Sequence, residues 1–138
     1  MAYLECFSAG DNSASPTATK VAYSTNTIVS GSGGTNLSMT GESEYASVSS
    51  SSVTFTKACR ILINYDVVCI QYSTWCKMEI KKNGTTISGT IQADNGYHVN
   101  GSLVLDVVAG DVISATAWSR TTEGTNVPHY TVYALTTS

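Results

Sequence analysis

Between Cys59 and Cys69 every second residue is apolar, so that Cys59, Ile61, Ile63, Tyr65, Val67 and Cys69 fall on one side of an extended chain. A period of two marks a strand with a buried face. The opposite side, Arg60, Leu62, Asn64, Asp66, Val68 and Ile70, turns apolar toward its end, so both faces are partly covered there. The same alternation in WCKMEIKK turns Cys76, Met78 and Ile80 inward and Lys77, Glu79 and Lys81 to water. No window combines apolar recurrence at three and four residues with helix caps. Serine and threonine, 19 of each, are interleaved with Val, Ile and Tyr, which is strand composition. The chain is therefore expected to be all-β, with helix almost absent.

Turn signals divide the chain into short elements. Strands are expected over Lys20–Val29, Ser52–Thr56, Cys59–Tyr72, Trp75–Lys82, Thr85–Ile91, Ser102–Val108, Val112–Trp118 and His129–Thr137. Asn83-Gly84 is the strongest hairpin signal, because a type I′ turn needs positive φ at both central residues. Ala109-Gly110-Asp111 makes a second tight turn, and the serine run Ser49–Ser52 reads as a solvated loop. The stretches Gln92–Gly101 and Arg120–Pro128 read as longer loops able to carry a surface function. About eight to ten strands at this spacing specify an antiparallel sandwich of two sheets rather than a sheet covered by helices. The first 50 residues are assigned only loosely, and the whole of 1–138 reads as one domain.

Charge excludes some functions. Only 12% of the 138 residues are charged and the net charge is -3, against about 25% charged in an ordinary soluble domain. Without a basic run the chain is not expected to bind nucleic acid. No apolar stretch approaches the ~20 residues of a membrane-spanning helix, and the opening MAYLECFSAGDNS has neither basic flank nor apolar signal core, so the expectation is a chain made in the cytoplasm. The cysteines Cys6, Cys59, Cys69 and Cys76 form no CxxC pair and no histidine stands at ligand spacing, so neither a metal nor another cofactor is expected. Cys59 and Cys69, about ten residues apart on one strand at about 3.3 Å each, are beyond disulfide reach. A Cys69–Cys76 bridge across a turn is sterically conceivable, but in a reducing compartment the cysteines read as buried free thiols.

The late strands carry apolar residues on both faces. In SLVLDVV these are Leu103, Leu105 and Val107 against Val104 and Val108; in HYTVYAL, Tyr130, Val132 and Ala134 against Tyr133 and Leu135. A lone sandwich buries one face of each sheet. The second face implies cover by another subunit, which a closed ring of identical copies supplies. Val104, Tyr130, Val132 and Ala134 are the residues expected at that contact.

Three segments carry a family resemblance. SVTFTKACRILINYDV, KMEIKKNGTTI and GSLVLDVVAGDVISATAWS, followed by an aromatic-rich last strand at Tyr130–Leu135, resemble the tumour-necrosis-factor-like jelly-roll superfamily, which includes complement globular heads and many bacteriophage and bacterial surface modules. The most specific piece is Leu103–Val108 followed by Ala109-Gly110-Asp111. The family usually has Gly-x-Tyr where this chain has Cys59-Arg60-Ile61. The resemblance implies a jelly-roll homotrimer packed about a three-fold axis. It is closest in character to virion components: a capsid decoration protein, head fibre or fibre tip, placed at the virion surface and docked to other capsid or tail proteins. The alternative it carries is a host-surface adhesin that binds glycan.

Residues that carry chemistry are scarce. Two histidines, His98 and His129, and ten carboxylates give no nucleophile elbow or paired acid and base, so no catalytic residue is expected. Asp94-Asn95-Gly96 resembles the start of a calcium loop but lacks the later acidic ligands and reads as a turn. Trp75, Trp118, Tyr72, Tyr97 and Tyr130 could offer flat faces to a sugar. Any ligand-contacting surface is expected in the two long loops, with Tyr97, His98, Arg120 and Glu123 as the exposed candidates.

Overall fold

The computed structural model describes residues 16–24, 34–68, 75–87, 91–94, 98–119 and 127–137, and among these there are strands and no helix. In chain order the strands are β1 (Pro16–Ser24), β2 (Thr35–Asn36), β3 (Met39–Thr40), β4 (Ala46–Val48), β5 (Ser52–Phe55), β6 (Cys59–Val68), β7 (Trp75–Lys82), β8 (Thr85–Thr86), β9 (Ile91–Asp94), β10 (His98–Val107), β11 (Val112–Ser119) and β12 (Val127–Thr137). One sheet has the order β10-β6-β12-β1-β3. The other runs β4-β5-β11-β7-β8, with β2 added to β11 and β9 to β7. Neighbours pair antiparallel throughout.

The two sheets enclose one core. Cys59, Ile61, Ile63 and Val67 of β6 are buried, as their alternation requires, and their row continues across the sheet through register. Ile61 faces Ala134, Ile63 faces Val132 and Tyr65 faces Tyr130. Cys76, Met78 and Ile80 of β7, Ile113 and Ala115 of β11 and Phe55 of β5 close the cavity from the other side. In β1 a bulge between Lys20 and Ala22 breaks the alternation, which is how Val21 and Ala22, adjacent in sequence, are both buried.

Two turns lock the end of the sandwich. Asn83 and Gly84 have φ of 53° and 82°, the type I′ geometry expected of the hairpin. Asp111 N–H donates to Val108 O at 3.0 Å to close the second turn. Asn83 then joins the two: its Nδ2 donates to Asp111 Oδ1 at 3.0 Å and its Oδ1 accepts from Val112 N–H at 2.9 Å. Ser49–Ser52 forms the β4–β5 connection, with Ser49 N–H donating to Ser52 O.

Several boundaries differ from the sequence expectation. The first strand begins at Pro16 rather than Lys20, with 25–29 of the expected strand outside the described residues, and the return strand after Asn83-Gly84 is short, Thr85–Thr86, with a separate β9 at Ile91–Asp94. The largest correction concerns the expected loop Gln92–Gly101. Gln92–Asp94 pairs with Trp75–Lys77, and His98–Gly101 pairs with Tyr65–Val68. Long-range pairing therefore overrides the Asp, Asn and Gly punctuation that reads as loop.

Candidate functional site

Residues directly opposed across a ladder share a face, so the registers define rows on the outward side of the five-stranded sheet. One row is Val104, Leu62, Tyr133 and Lys20; the next is Asp106, Arg60, Leu135 and Ala18. On the other side come Ser102, Asn64, Thr131 and Tyr23, then Asn100, Asp66 and His129. Val104 is 44% exposed and Tyr23 39%. Leu62, Tyr133 and Leu135 are half-buried. These five side chains form an apolar band across the middle of a face that an isolated sandwich would present as polar.

Either end of the band is polar. At one end Arg60 grips Asp106 with two bonds, Nε to Oδ1 at 2.8 Å and Nη2 to Oδ2 at 3.1 Å. The hydrogen bond from Arg60 holds the Asp106 carboxyl below its ordinary range. At the other end lies an open hollow of about 320 Å³ whose polar lining comes from Asn64, Asp66, Asn100, Ser102, His129 and Thr131. Gly101 also lines it, and a Cβ there would come to 3.0 Å from the Tyr65 ring.

Asp66 is the centre of this polar end. Its Oδ2 is 3.2 Å from His98 Nε2. Its Oδ1 is shut off from solvent and has no hydrogen-bond partner, with His129 Nδ1 at 3.8 Å, beyond bonding distance. The three groups come from β6, β10 and β12, which are adjacent in the sheet and far apart in sequence. Among the described residues no three His, Cys, Asp or Glu side chains are arranged to hold a metal ion.

The structure redistributes the residues expected from sequence. His98 is exposed, on strand β10 rather than in a loop. Tyr97, Arg120 and Glu123 lie outside the described residues. Of the four residues expected at a subunit contact, Val104 lies on the outward face, whereas Tyr130, Val132 and Ala134 are fully enclosed within a single chain. That part of the expectation is corrected. Pairing with Tyr65, Ile63 and Ile61 turns them into the core and leaves Tyr133 and Leu135 as the outward apolar residues of β12. Nothing in the local sequence brings Asp66 and His129 together; the β6–β12 register does.

On the seven-stranded sheet, Lys77 Nζ lies 5.6 Å from the Trp75 ring centroid on its own strand and 5.0 Å from that of Trp118 on the neighbouring β11. Both indoles are half-buried, and the ammonium sits over the aromatic surfaces that a sugar would need. Cys59 and Cys76 are buried, and burial pushes the Cys59 thiol up in pKa despite the opposing pull of Lys57. Cys6 and Cys69 lie outside the described residues. No helix among those residues is long and apolar enough to cross a membrane.

No protein-family model matches the chain, and no curated protein is similar to it in sequence. Solved structures do match in shape. The crystal structure of murine APRIL at pH 8.5 superposes with a TM-score of 0.59 over 82% of this chain and 97% of that one, at 10% identity. The globular domain of zebrafish complement 1qA protein gives 0.53 over 86% and 94%, at 12% identity. The fold is thus the two-sheet jelly roll of the tumour-necrosis-factor and complement-head type. At these identities the likeness is one of fold.

Proposed function

We propose that copies of this chain associate through the outward face of the five-stranded sheet, and that the product is a non-enzymatic homotrimeric module of a bacteriophage virion surface. The apolar band of Val104, Leu62, Tyr133, Leu135 and Tyr23 carries this reading. An apolar row in register across three strands, Val104, Leu62 and Tyr133, with Leu135 and Tyr23 in the flanking rows, needs cover. A closed ring of identical copies provides it without leaving a sticky face. The three-fold stoichiometry comes from the resemblance to tumour-necrosis-factor-like jelly rolls. The virion setting is supported by the Ser/Thr-rich strands and by the resemblance to phage surface modules.

Light scattering tests the assembly, with an expected particle mass of three times the 14.5 kDa chain. A monomer at micromolar concentration would overturn it. Immunogold labelling of purified phage particles tests the setting: label on capsid or tail supports it, and unlabelled particles exclude it.

A further inference from the structure

We propose that the hollow at the polar end of the outward face binds one neutral sugar residue, held by hydrogen bonds with Asn64, Asp66, Asn100, Ser102, His129 and Thr131. All six side chains belong to one chain, so the inference stands apart from the association of copies.

The registers assemble the site. Ser102, Asn64 and Thr131 stand in one row across β10, β6 and β12, and Asn100, Asp66 and His129 stand in the next. Strands lie ~4.8 Å apart and the rows are two residues of ~3.3 Å apart, so the six positions tile a patch of about 10 by 7 Å. Thr131, in an outward row yet only 8% exposed, lies deepest, and the exposed Asn64, Asn100 and Ser102 form the rim. The volume of about 320 Å³ is at the small end of ligand cavities, which run from about 300 to 1,000 Å³, and suits a single ring.

The lining selects the class of ligand. Two amides, two hydroxyls and an imidazole both donate and accept, while the carboxylate accepts only. Adjacent ring hydroxyls, each a donor and an acceptor, match that mixture. Asp66 Oδ1 is shut off from solvent, so a ligand meets Asp66 through Oδ2, which stands 3.2 Å from His98 Nε2 and keeps a lone pair for a second donor. No Lys or Arg lines the hollow, and the carboxylate repels an anion. One carboxylate is too few for a calcium ion, which takes six to eight oxygen ligands. The flat indole faces of Trp75 and Trp118 are occupied by Lys77, so recognition falls to hydrogen bonds at this patch.

Saturation-transfer NMR with glucose, galactose, mannose and N-acetylglucosamine should show at least one of them bound, with a dissociation constant on the order of 1 mM. Glucuronate, which adds a carboxylate to the same ring, should bind about tenfold more weakly than the sugar that binds. Asp66→Asn should weaken binding about tenfold. Ser102→Trp, at an exposed position of the edge strand β10, should abolish binding by filling the hollow, and it carries the test if Asp66→Asn fails to fold by circular dichroism. Methyl glycosides that bind as well as the free sugar assign the hollow to the end of a glycan, and binding by the free sugar alone assigns it to a free monosaccharide. Absence of binding by all four sugars overturns the inference, as does binding that survives Ser102→Trp and is lost in Trp118→Ala. Light scattering on the same samples separates this inference from the association of copies. A trimer that binds no sugar overturns the sugar site and leaves the association intact, whereas a monomer that binds one does the reverse.

Discussion

Tyr130 is the largest side chain fully enclosed in the core, and its hydroxyl has no hydrogen-bond partner. A desolvated hydroxyl without a partner forfeits its bonds to water, at a cost of about 1–3 kcal/mol, while its ring fills space that nothing else occupies. Tyr130→Phe should leave thermal stability unchanged or raise it by about 1 kcal/mol. Tyr130→Ala should lose about 3–5 kcal/mol through the cavity it opens. Burial also holds the phenol in its protonated form well above the ordinary range. The unfolded phenol ionises near pH ~10, so stability is unaffected below that pH and is lost as pH rises beyond it. Spectrophotometric titration should find a tyrosine step that coincides with alkaline unfolding and disappears in Tyr130→Phe. A step with the same midpoint in native and denatured protein would show that the phenol is not enclosed. Alternation alone identifies Tyr130 as one of two alternating sets on its strand. Which set faces inward depends on the register with β6, and no local feature of the last strand specifies it.

The strand pairs that were readable in advance are those whose turns are written in adjacent residues. Asn83-Gly84 demands positive φ twice and thereby sets the hairpin, and the inward set Cys76, Met78 and Ile80 follows from one alternating stretch. The β6–β10 ladder had no such signal. His98–Gly101 is a weak strand former by composition and holds its conformation only through its partner Tyr65–Val68, so it read as loop and the hollow beside it was invisible. The turn clasp adds a testable consequence. Asn83 combines a left-handed backbone with side-chain bonds to Asp111 and Val112. Asn83→Ala should destabilise the fold by about 1–3 kcal/mol, since it loses both bonds and takes an unfavourable φ. Asn83→Gly should recover the backbone share only, which equilibrium denaturation of the three proteins would measure. The bond from Asn83, followed by that from Val108 N–H, also holds the Asp111 carboxyl below its ordinary range. Its contribution is present above pH ~4 and is lost as acid protonates it. The acid transition of Asn83→Ala should therefore lose part of its steepness.

At the level of the molecule, one sheet is covered on its inner side by the other sheet, and on its outer side no strand among the described residues packs against it. The double-sided apolar pattern in the sequence places apolar residues on both sides of β12, and the structure buries Tyr130, Val132 and Ala134, the set expected at a contact, in the core. Neighbouring positions on β10 separate the two roles. Val104 points outward at 44% exposure, while Leu105 packs against the core. Val104→Glu places its charge where the free chain is still hydrated, so the melting temperature of the monomer should stay within the range of ordinary surface substitutions, about 0.5 kcal/mol. The same charge in a covered contact costs on the order of 3 kcal/mol or more per copy, so the assembly should fall to monomers in light scattering. Val132→Glu, by contrast, puts the charge into the enclosed core beside Ile63 and should abolish the fold, not merely the assembly. If Val104→Glu remains assembled while Val132→Glu yields a folded monomer, the outward and inward sides have been exchanged and the association face lies elsewhere. If Val104→Glu gives a folded monomer and Val132→Glu does not fold, the two sides of the sheet have the separate roles that the registers assign to them.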